Sequence, residues 1–307
     1  MAIGLGLGLA RFPFDNAQDY WRWVEQCESG GVDSIWQSDR LISKQPMLEC
    51  LSTMAALAGA TETIRFGMNV ASIALRDPLL VAKQCATIDF LSSGRLLPAF
   101  GLGSALGQDY SATGTATSRR GKKANEALAL VRQLWDQDDV NFNGEFFQYE
   151  RASISPKPNN QHIPLWVGGS SAVAMRRTAT FGTGWLGGLD SPDQAAVMVA
   201  GIKQALLITG RKIEEDHYGA TFSFRIGNPN ERSAQQAKNE LATRLKKDPA
   251  DFMVAGSVND VHQRIEDYIA AGCSKFVMLP IANSTGEMRE QTRLFISEVL
   301  PRYADRS

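Results

Sequence analysis

The segment Gly168-Gly169-Ser170-Ser171 carries the residue types of an anion-binding site. It ends the apolar run "IPLWVGGSS", which predicts a strand, and it leads into a predicted helix that ends at Phe181. Free N–H groups at the start of a helix, together with two hydroxyls, suit a phosphate. Ser170 or Ser171 could equally be an ordinary N-cap for that helix. The residues alone leave both interpretations open.

Polar and small residues follow three other predicted strands in the same way. The Asp39-Arg40 pair follows the second strand, and as a surface ion pair it would contribute little to stability. In barrels of alternating strands and helices, the chemistry lies on the loops at the carboxyl ends of the strands. The further residues at predicted strand ends are Asn69, Ala71, Ser72 and Ile73 after the third strand and Gly101, Gly103 and Ser104 after the fourth.

The glycines of "FGLGSALG" raise the question of a dinucleotide-binding fingerprint. The spacing lacks the required third glycine, and the similar run "GLGLGLA" near the N-terminus lies inside a predicted strand. We therefore expect Gly101 and Gly103 to let a flat ligand approach the backbone closely. Just before the fourth predicted strand, Gly94 ends a helix, and Arg95 marks the polar start of that strand.

The elements that must position these residues alternate regularly. The predicted strands are continuous apolar runs, as in a parallel sheet that is covered on both faces. Eight such units predict an α/β fold of the (β/α)₈ TIM-barrel type with insertion segments, in one domain over residues 1–307. An open doubly wound sheet is the alternative. The predicted strands are Ile3–Ala10, Val32–Asp39, Thr63–Ile73, Arg95–Gly103, Ile163–Ser171, Gly184–Gly188, Tyr218–Gly227 and Lys275–Ile281.

The predicted helices fill the intervals between these strands, and a small hairpin over Val140–Glu150 is predicted to turn at Asn143-Gly144. The predicted helices are Asn16–Ser29, Met47–Ala60, Pro78–Leu91, Ser118–Trp135, Ser171–Phe181, Pro192–Thr209, Ser233–Lys247, Val258–Ala271 and Met288–Val299.

The composition excludes several classes of function. The chain has 307 residues, 44% of them hydrophobic, and a formal net charge of −1. Without a clustered basic face we expect no nucleic-acid partner. Without an apolar tract of about 18 residues we expect no membrane span. No basic region precedes the first apolar run, so we expect no signal peptide and a cytoplasmic protein. Ser118–Lys123 holds four cations, of which Arg119 or Arg120 could reach an anionic ligand.

Cysteine and histidine spacing predicts no metal site. The four cysteines are far apart in sequence, and those on apolar helix faces are expected to be small buried hydrophobes. The three histidines are too scattered for a zinc site. These residues are Cys27, Cys50, Cys85, Cys273, His162, His217 and His262.

Several segments in order along the chain resemble the bacterial luciferase-like superfamily of flavin and deazaflavin enzymes. They include "GVDSIWQSDRL", "TIRFGMNVASIALRDPLLVAKQCATIDFLSSGRLLPAFGLG", "RRGKKANEALALVRQLW", "NGEFFQYE", "IPLWVGGSS" and "GSVNDVHQRIEDYIAAGCSKFVMLP". The resemblance covers nearly the whole chain and implies a (β/α)₈ barrel that is often a dimer. It implies FMN or the deazaflavin coenzyme F-420, usually as a dissociable reduced cosubstrate.

The resemblance also implies roles for the residues at the strand ends. Gly168, Gly169, Ser170 and Ser171 match the loop that contacts the cofactor phosphate. The stretch at the end of the third strand matches the support for the ring, with a cis peptide bond expected at Ser72–Ile73. The residues implied to bind the ring are Asn69, Ala71, Ser72, Ile73, Gly101 and Gly103.

The chain departs from the resemblance at two positions. Many members carry histidine after the aspartate of strand two, where this chain has Arg40. A guanidinium stays charged, so it could stabilise an anionic ring but cannot serve as an ordinary base. Asp39 is then the local candidate for proton transfer, and we take Asp39 and Arg40 as the candidate catalytic residues. Thr183 stands where an aspartate is usual before Gly-Trp.

The sequence thus predicts a flavin-dependent oxidoreductase, with a monooxygenase favoured. It would use reduced FMN and O₂ on a small organic substrate near Arg40 and Tyr110. A homodimer and a separate flavin reductase are the expected partners. A hydride-transferring dehydrogenase or reductase that uses coenzyme F-420 is the alternative, and a non-catalytic flavin-binding protein is a further one. The segments predicted to select the substrate are Gly107–Thr117, Leu186–Pro192 and Lys247–Gly256.

Overall fold

The computed structural model describes residues 2–104, 107–159, 163–246 and 248–306. Lys247, where one predicted helix and one predicted substrate loop have a boundary, lies outside these ranges, as does His162. Among the described helices, none combines the length and the apolar composition needed to cross a membrane.

The strands have the following bounds. They are β1 Gly4–Leu9, β2 Ser34–Gln37, β3 Arg65–Met68, β4 Ala71–Ser72, β5 Leu96–Leu97, β6 Ala99–Gly101, β7 Val140–Asn143, β8 Gln148–Ala152, β9 Trp166–Gly168, β10 Gly184–Leu189, β11 Tyr218–Ile226, β12 Met253–Gly256 and β13 Lys275–Pro280. The helices are α1 Ala17–Ser29, α2 Cys50–Ala60, α3 Pro78–Leu91, α4 Gln108–Ala112, α5 Arg120–Asp136, α6 Ala172–Phe181, α7 Pro192–Thr209, α8 Arg232–Leu245, α9 Val258–Ala270 and α10 Thr285–Leu294.

Parallel pairing closes the main sheet into a barrel. β3 and β4 are two halves of the third predicted strand, and β5 and β6 are two halves of the fourth. β3 pairs with β5 and β4 with β6, and β6 continues the sheet to β9. From β9 the order runs through β10, β11, β13, β1 and β2 back to β3, with every pair parallel. The predicted (β/α)₈ barrel is therefore confirmed over the open sheet.

Two wall strands are interrupted halfway. Pro98, which has no N–H for the ladder, separates β5 from β6. A cis peptide bond at Asn69–Val70 separates β3 from β4. The prediction of a cis bond at Ser72–Ile73 is wrong. That bond enters a 3₁₀ turn over Ile73–Leu75, and an aspartate already holds the Ser72 N–H.

Helix limits follow the expected signals closely. α3 and α7 have the predicted bounds, each beginning with proline after a capping aspartate or serine. The closing helix α10 begins earlier than expected because Ser284 caps it, and it gives way to a π-helical turn over Phe295–Val299. The hairpin β7–β8 is confirmed, although its connection spans four residues, 144–147. β12 was not predicted; it pairs with β11 outside the ring.

Large and small residues alternate to fill the barrel interior. A Cβ on Gly67 would lie 2.6 Å from the Trp36 ring, and one on Gly8 would lie 2.7 Å from both Leu279 and Val277. These side chains belong to an inner cluster that is separate from the main core between strands and helices. The barrel is thus a packed core, which leaves the ends as the places for a ligand.

Arg95 does more than mark the start of the fourth strand. Its guanidinium donates to the carbonyls of Ala58, Thr61 and Ile64 at 2.7–3.1 Å and so satisfies the end of α2. On the other side of the same connection, the Glu28 carboxylate accepts the N–H groups of residues 62–64 at 2.6–3.0 Å. Two half-buried charged side chains, Arg95 and Glu28, therefore hold the α2–β3 connection.

Glu28 supplies a pH-dependent part of the stability. Burial favours a higher pKa, but the hydrogen bonds from the Thr63, Ile64 and Glu62 N–H groups outweigh it and lower the pKa of Glu28. A lowered pKa in the folded state gives stability above the ordinary carboxyl pKa that is lost as the pH falls. We expect Glu28→Gln to lower the free energy of unfolding by about 1 kcal/mol at pH 7. The difference from wild type should shrink below about pH 4.

Urea unfolding at pH 7, 5, 4 and 3 measures this difference. Glu25→Gln, an exposed change one turn earlier on α1, is the control and should be nearly neutral throughout. A Glu28→Gln deficit that stays constant down to pH 3 contradicts the assignment.

Candidate functional site

The carboxyl ends of the third, fourth and fifth wall strands form one continuous floor. A Cβ on Gly103, which has φ +62°, would overlap the Ser72 hydroxyl. A Cβ on Gly101 would lie 2.6 Å from the Val70 side chain, and one on Gly168 would lie 3.0 Å from it. The structure therefore brings together the strand-end residues that the sequence singled out. Val70, between the two glycines, was missed because nothing in its type signals this position.

The Asp39 carboxylate holds the backbone of this floor in position. Its side chain is only 2% exposed, and Oδ2 accepts the Ser72 N–H at 2.8 Å. The Arg76 guanidinium spans both carboxylate oxygens at 2.7 Å. Arg76 also donates to the Ser72 carbonyl at 3.2 Å. The tip of β2 is thereby tied to both polar groups of one backbone residue at the end of β4.

Arg76 also contacts side chains at the start of α2. Its Nη2 lies 3.1 Å from Glu49 Oε1 and 3.6 Å from Cys50 Sγ. The ligand atoms of Asp39, Glu49 and Cys50 lie within 4.8 Å of one another, a grouping that could suit a metal ion. The guanidinium already occupies the cation position among them. The spacing of these residues in sequence gave no sign of the cluster.

Burial and the contacts within this cluster also shift the pKa values of Arg76 and Cys50. Burial lowers the pKa of Arg76, but its hydrogen bonds to Asp39 outweigh this, and the pKa is raised. Burial, reinforced by the charge of Asp39, raises the pKa of the Cys50 thiol. Cys50 therefore stays a neutral thiol that donates to Asp39 Oδ1 at 3.4 Å.

Arg40 points the other way. It is exposed, and within the described part of the chain it makes no hydrogen bond or ion pair. The two candidate catalytic residues are thus separated at the same strand tip. Asp39 is turned inward with both oxygens engaged, and Arg40 is available at the rim. Their catalytic roles remain predictions.

In the loop after β9 a serine caps the next helix, and backbone N–H groups that could bind an anion are also present. Ser171 is the N-cap of α6, and its hydroxyl accepts the Ala174 N–H at 3.2 Å. Over the described ranges, the N–H groups of Ala172 and Val173 donate to no protein atom. Gly169 has φ +124°, and its carbonyl accepts the Trp185 indole N–H at 2.9 Å.

Asp190 is an acidic neighbour of this loop that the sequence did not single out. It is buried after β10, and its carboxylate accepts the Ser170 hydroxyl. Its backbone carbonyl accepts the Tyr268 hydroxyl at 2.5 Å. The Ser170 hydroxyl therefore donates to the protein, whereas the Ser171 hydroxyl accepts there, so the Ser171 O–H and the exposed N–H groups are the open donors of this loop within the described residues.

Tyr110 covers the fourth strand end. Its hydroxyl donates to the Leu102 carbonyl at 2.5 Å, and the Arg120 guanidinium lies 5.5 Å from the centre of its ring. Burial raises the pKa of Tyr110, although the charge of Arg120 opposes this. Below the floor, the Asn69 side-chain oxygen accepts the Thr221 hydroxyl at 3.3 Å, which ties the third strand to β11 across the barrel.

The opposite side of the mouth holds a cavity under α8. It has a volume of about 100 Å³, and its walls are the ends of β1, β11 and β13. Arg11 pairs with Glu240 of α8, and Asn283 accepts from Arg11 at 3.2 Å and donates to Gln236 at 3.3 Å. α8 is thus fastened over part of the mouth by charged and amide groups.

The fold defines a class: a closed (β/α)₈ barrel, here with a glycine-lined floor at the carboxyl ends of three of its strands. Comparison with known proteins is more specific. The chain belongs to the family described as luciferase-like monooxygenase, whose model matches residues 4–275. The resemblance drawn from the sequence is therefore confirmed.

Individual relatives come from more than one kind of enzyme. An uncharacterised protein of Mycobacterium tuberculosis is 34% identical over 161 residues, 52% of this chain and 54% of its own. The match thus spans about half the length of that relative. Coenzyme F-420-dependent glucose-6-phosphate dehydrogenase of Amycolatopsis mediterranei is 24% identical over 93% of this chain and 94% of its own. Pyrimidine monooxygenase RutA of Allorhizobium ampelinum is 34% identical over 53% and 46%.

Solved structures show the same fold. Monooxygenase RslO1 from Streptomyces bottropensis superposes with a TM-score of 0.83 at 18% identity, over 98% of this chain and 100% of its own. A coenzyme F-420-dependent secondary alcohol dehydrogenase, solved with an F-420–acetone adduct, also gives 0.83, at 19% identity over 98% and 99%. At these identities the likeness establishes the fold alone.

Neighbouring residues at the β2 tip should respond oppositely to substitution. Asp39→Ala leaves the 12%-exposed Arg76 guanidinium without its main partner, so we expect a loss of about 3–5 kcal/mol in the free energy of unfolding. Arg40→Ala removes an exposed, unpaired side chain and should change it by less than about 0.5 kcal/mol. Urea unfolding at pH 7 measures both. Similar losses in the two variants contradict the inward and outward placement.

Proposed function

We propose that this protein is a flavin-dependent oxidoreductase whose cofactor ring lies on the floor formed by the third, fourth and fifth strand ends. The observation that carries the proposal is the packing of Ser72 against Gly103 and of Val70 against Gly101 and Gly168. It leaves a surface of backbone and small side chains, as a flat ring requires. The proposed reaction is monooxygenation of a small organic substrate with reduced FMN and O₂.

The phosphate end of the cofactor fits the loop after β9. The positive end of the α6 dipole and the open N–H groups of Ala172 and Val173 favour an anion there. Gly169 gives the backbone room to approach it. The Ser170 hydroxyl can join only by leaving Asp190. The ring end would contact Asn69, Ala71, Ser72, Ile73, Gly101 and Gly103.

The protein's own contribution is positioning and exclusion of water. When bound, reduced flavin supplies either hydride or reactivity toward O₂. The Asp39–Arg76 pair would hold the Ser72 backbone in place beneath a bound ring, while Tyr110 would close the side above Leu102. The cavity under α8 would receive a small substrate on the open ring face. Arg40, at the rim, would stabilise negative charge rather than accept a proton.

A hydride-transferring dehydrogenase that uses coenzyme F-420 is the second candidate. It is favoured by the relative from Amycolatopsis mediterranei, which aligns over 93% of this chain. The same floor would hold the deazaflavin ring. Cofactor choice therefore separates the two candidates.

We also propose a homodimer, with a separate flavin reductase supplying the reduced cofactor if FMN is used. Exposed apolar side chains support a partner surface on α3: Leu80, Phe90 and Leu91 are each more than half exposed. The whole chain, residues 1–307, would form one domain.

Anaerobic titration of the protein with reduced FMN and, in parallel, with reduced coenzyme F-420 tests the cofactor. We expect the tighter binding for FMN, followed by rapid reoxidation when O₂ is admitted. A clear preference for coenzyme F-420 favours the dehydrogenase. If neither binds below about 1 mM, an interaction of about −4 kcal/mol, the proposed function is wrong.

Two glycines with the same backbone conformation provide a matched test of the floor. Gly103 and Gly114 have φ +62° and +65°, but a Cβ on Gly103 meets Ser72 whereas one on Gly114 meets nothing within 4 Å. We expect Gly103→Ala to weaken FMN binding about tenfold or more, because the floor must shift by about a bond length against close packing. Gly114→Ala carries similar backbone strain and should leave binding unchanged. Equal effects in the two variants contradict the placement of the ring.

A further inference from the structure

The cavity under α8 contains a hydroxyl that the protein leaves without a partner. Ser223 of β11 lines this cavity and is only 6% exposed. Its backbone N–H donates to the Phe252 carbonyl at 2.9 Å, but over the described ranges its side chain makes no hydrogen bond. A buried polar group without a partner costs free energy. Such a hydroxyl is expected where a ligand supplies the partner.

Ser223 lies on the inner face of the barrel, close to the height of the floor. It is in register with Leu279 of β13, whose side chain belongs to the inner cluster. Two residues earlier on the same strand, Thr221 donates to the Asn69 side-chain oxygen across the barrel. Alternate residues of a strand share a face and lie about 7 Å apart. Ser223 is therefore one step nearer the mouth than this hydrogen bond, as are the floor residues that follow Asn69.

The remaining walls of the cavity are mostly apolar. The end of β13 and the segment after it, residues 279–282, supply one side, and Ala237 and Leu241 of α8 supply the other. The volume of about 100 Å³ compares with roughly 10–15 Å³ for a single water molecule. The cavity therefore has room for a molecule of fewer than about ten non-hydrogen atoms with an apolar body.

The charged groups beside the cavity neutralise one another. The Arg11 guanidinium pairs with Glu240 and donates to the Asn283 side-chain oxygen at 3.2 Å. Glu240 also accepts from the Gln236 amide at 3.0 Å. An anionic substrate would have to displace Glu240 from Arg11, and a cationic one would have to displace Arg11 from Glu240. Because burying an unpaired charge is costly, the cavity favours an uncharged ligand.

We propose that this cavity selects a small, uncharged organic substrate whose single carbonyl or hydroxyl oxygen hydrogen-bonds to Ser223. The apolar walls hold the body of the molecule, and the Arg11–Glu240 pair excludes charged analogues. That the bound molecule is the substrate of a flavin reaction rests on the proposed function. Binding in the cavity does not require the cofactor. Ser223 is in this sense a specificity-determining residue of the barrel mouth.

Ligand-observed NMR titration of the full chain tests the role of Ser223 with two probes of the same shape. Cyclohexanone has the carbonyl oxygen, and methylenecyclohexane has a CH₂ group in its place. We expect Ser223→Ala to weaken cyclohexanone binding about fivefold to tenfold and to leave methylenecyclohexane binding unchanged. Ser297→Ala is the control, because this exposed serine near the C-terminus bonds to the neighbouring Glu298 and should alter neither affinity.

Two further variants test the location and the charge of the cavity. Ala237→Leu fills the space under α8 and should abolish binding of both probes. Glu240→Gln leaves Arg11 without its carboxylate partner, so we expect it to tighten the binding of cyclohexanecarboxylate about tenfold or more relative to wild type. Because the Ser223 hydroxyl has no partner in the described part of the protein, Ser223→Ala should leave the midpoint of thermal unfolding unchanged.

The proposal is overturned if Ser223→Ala weakens both probes equally or neither of them, or if wild type binds no cyclohexanone up to about 10 mM. Titration with reduced FMN separates this failure from failure of the proposed function. If FMN binds to wild type and to Ser223→Ala alike but the probes ignore Ser223, the substrate assignment alone is wrong. If wild type binds no flavin and the probes still depend on Ser223, the proposed function fails and the ligand site remains.

Discussion

The candidate site depends on a buried ion pair that joins two neighbouring strand tips. Beyond the last rung of a parallel sheet, backbone groups lose their ladder partners and need others. Asp39 and Arg76 supply them for Ser72, one accepting its N–H and the other donating to its carbonyl. A buried pair of this kind is weak evidence for net stability. Its value here is that it fixes the position of the backbone on which the floor is built.

The rest of the floor follows from that fixed point. With Ser72 held, a side chain on Gly103 would overlap the serine hydroxyl, and its φ of +62° also favours glycine. One residue earlier in the wall, Val70 imposes the same limit on Gly101 and Gly168. Val70 and Ser72 therefore set how closely the ends of the third, fourth and fifth wall strands pack against one another. Trp36 and its neighbours fill the barrel interior below the floor and so support the floor residues from that side.

Sequence patterns were sufficient for the frame of the molecule. Apolar runs and capping residues placed the wall strands and gave α3 and α7 their limits, because these signals act over a few neighbouring residues. The same patterns could not place β12, whose short stretch Met253–Gly256 becomes a strand only by pairing with β11. They also could not locate the cis bond, which lies between the two halves of the third wall strand.

Side-chain partnerships were the least predictable part of the site. Asp39 and Arg40 are adjacent and both charged, and only the fold decides that one turns inward to Arg76, 37 residues away in the chain. Asp190 reaches Ser170 from the next wall strand, so no local pattern connects them. Arg120 looked like its three cationic neighbours in the sequence. Burial of its Nη1 against Tyr110, a tertiary property, sets it apart.

The two sides of the barrel mouth differ in how completely their positive groups are paired within the protein. Around the cavity under α8, cations are paired within the protein: Arg11 with Glu240, and Arg225 with Glu231. Beside the floor the pairing is incomplete within the described residues, since the Arg120 Nη1 atom has no hydrogen-bond partner there and Ala172 and Val173 present open N–H groups. Uncompensated positive charge attracts an anion most strongly where water is excluded. Under the proposed function, the anionic end of the cofactor would therefore lie toward the N-terminus of α6, and its flat ring would lie across the glycines toward the neutralised side of the mouth.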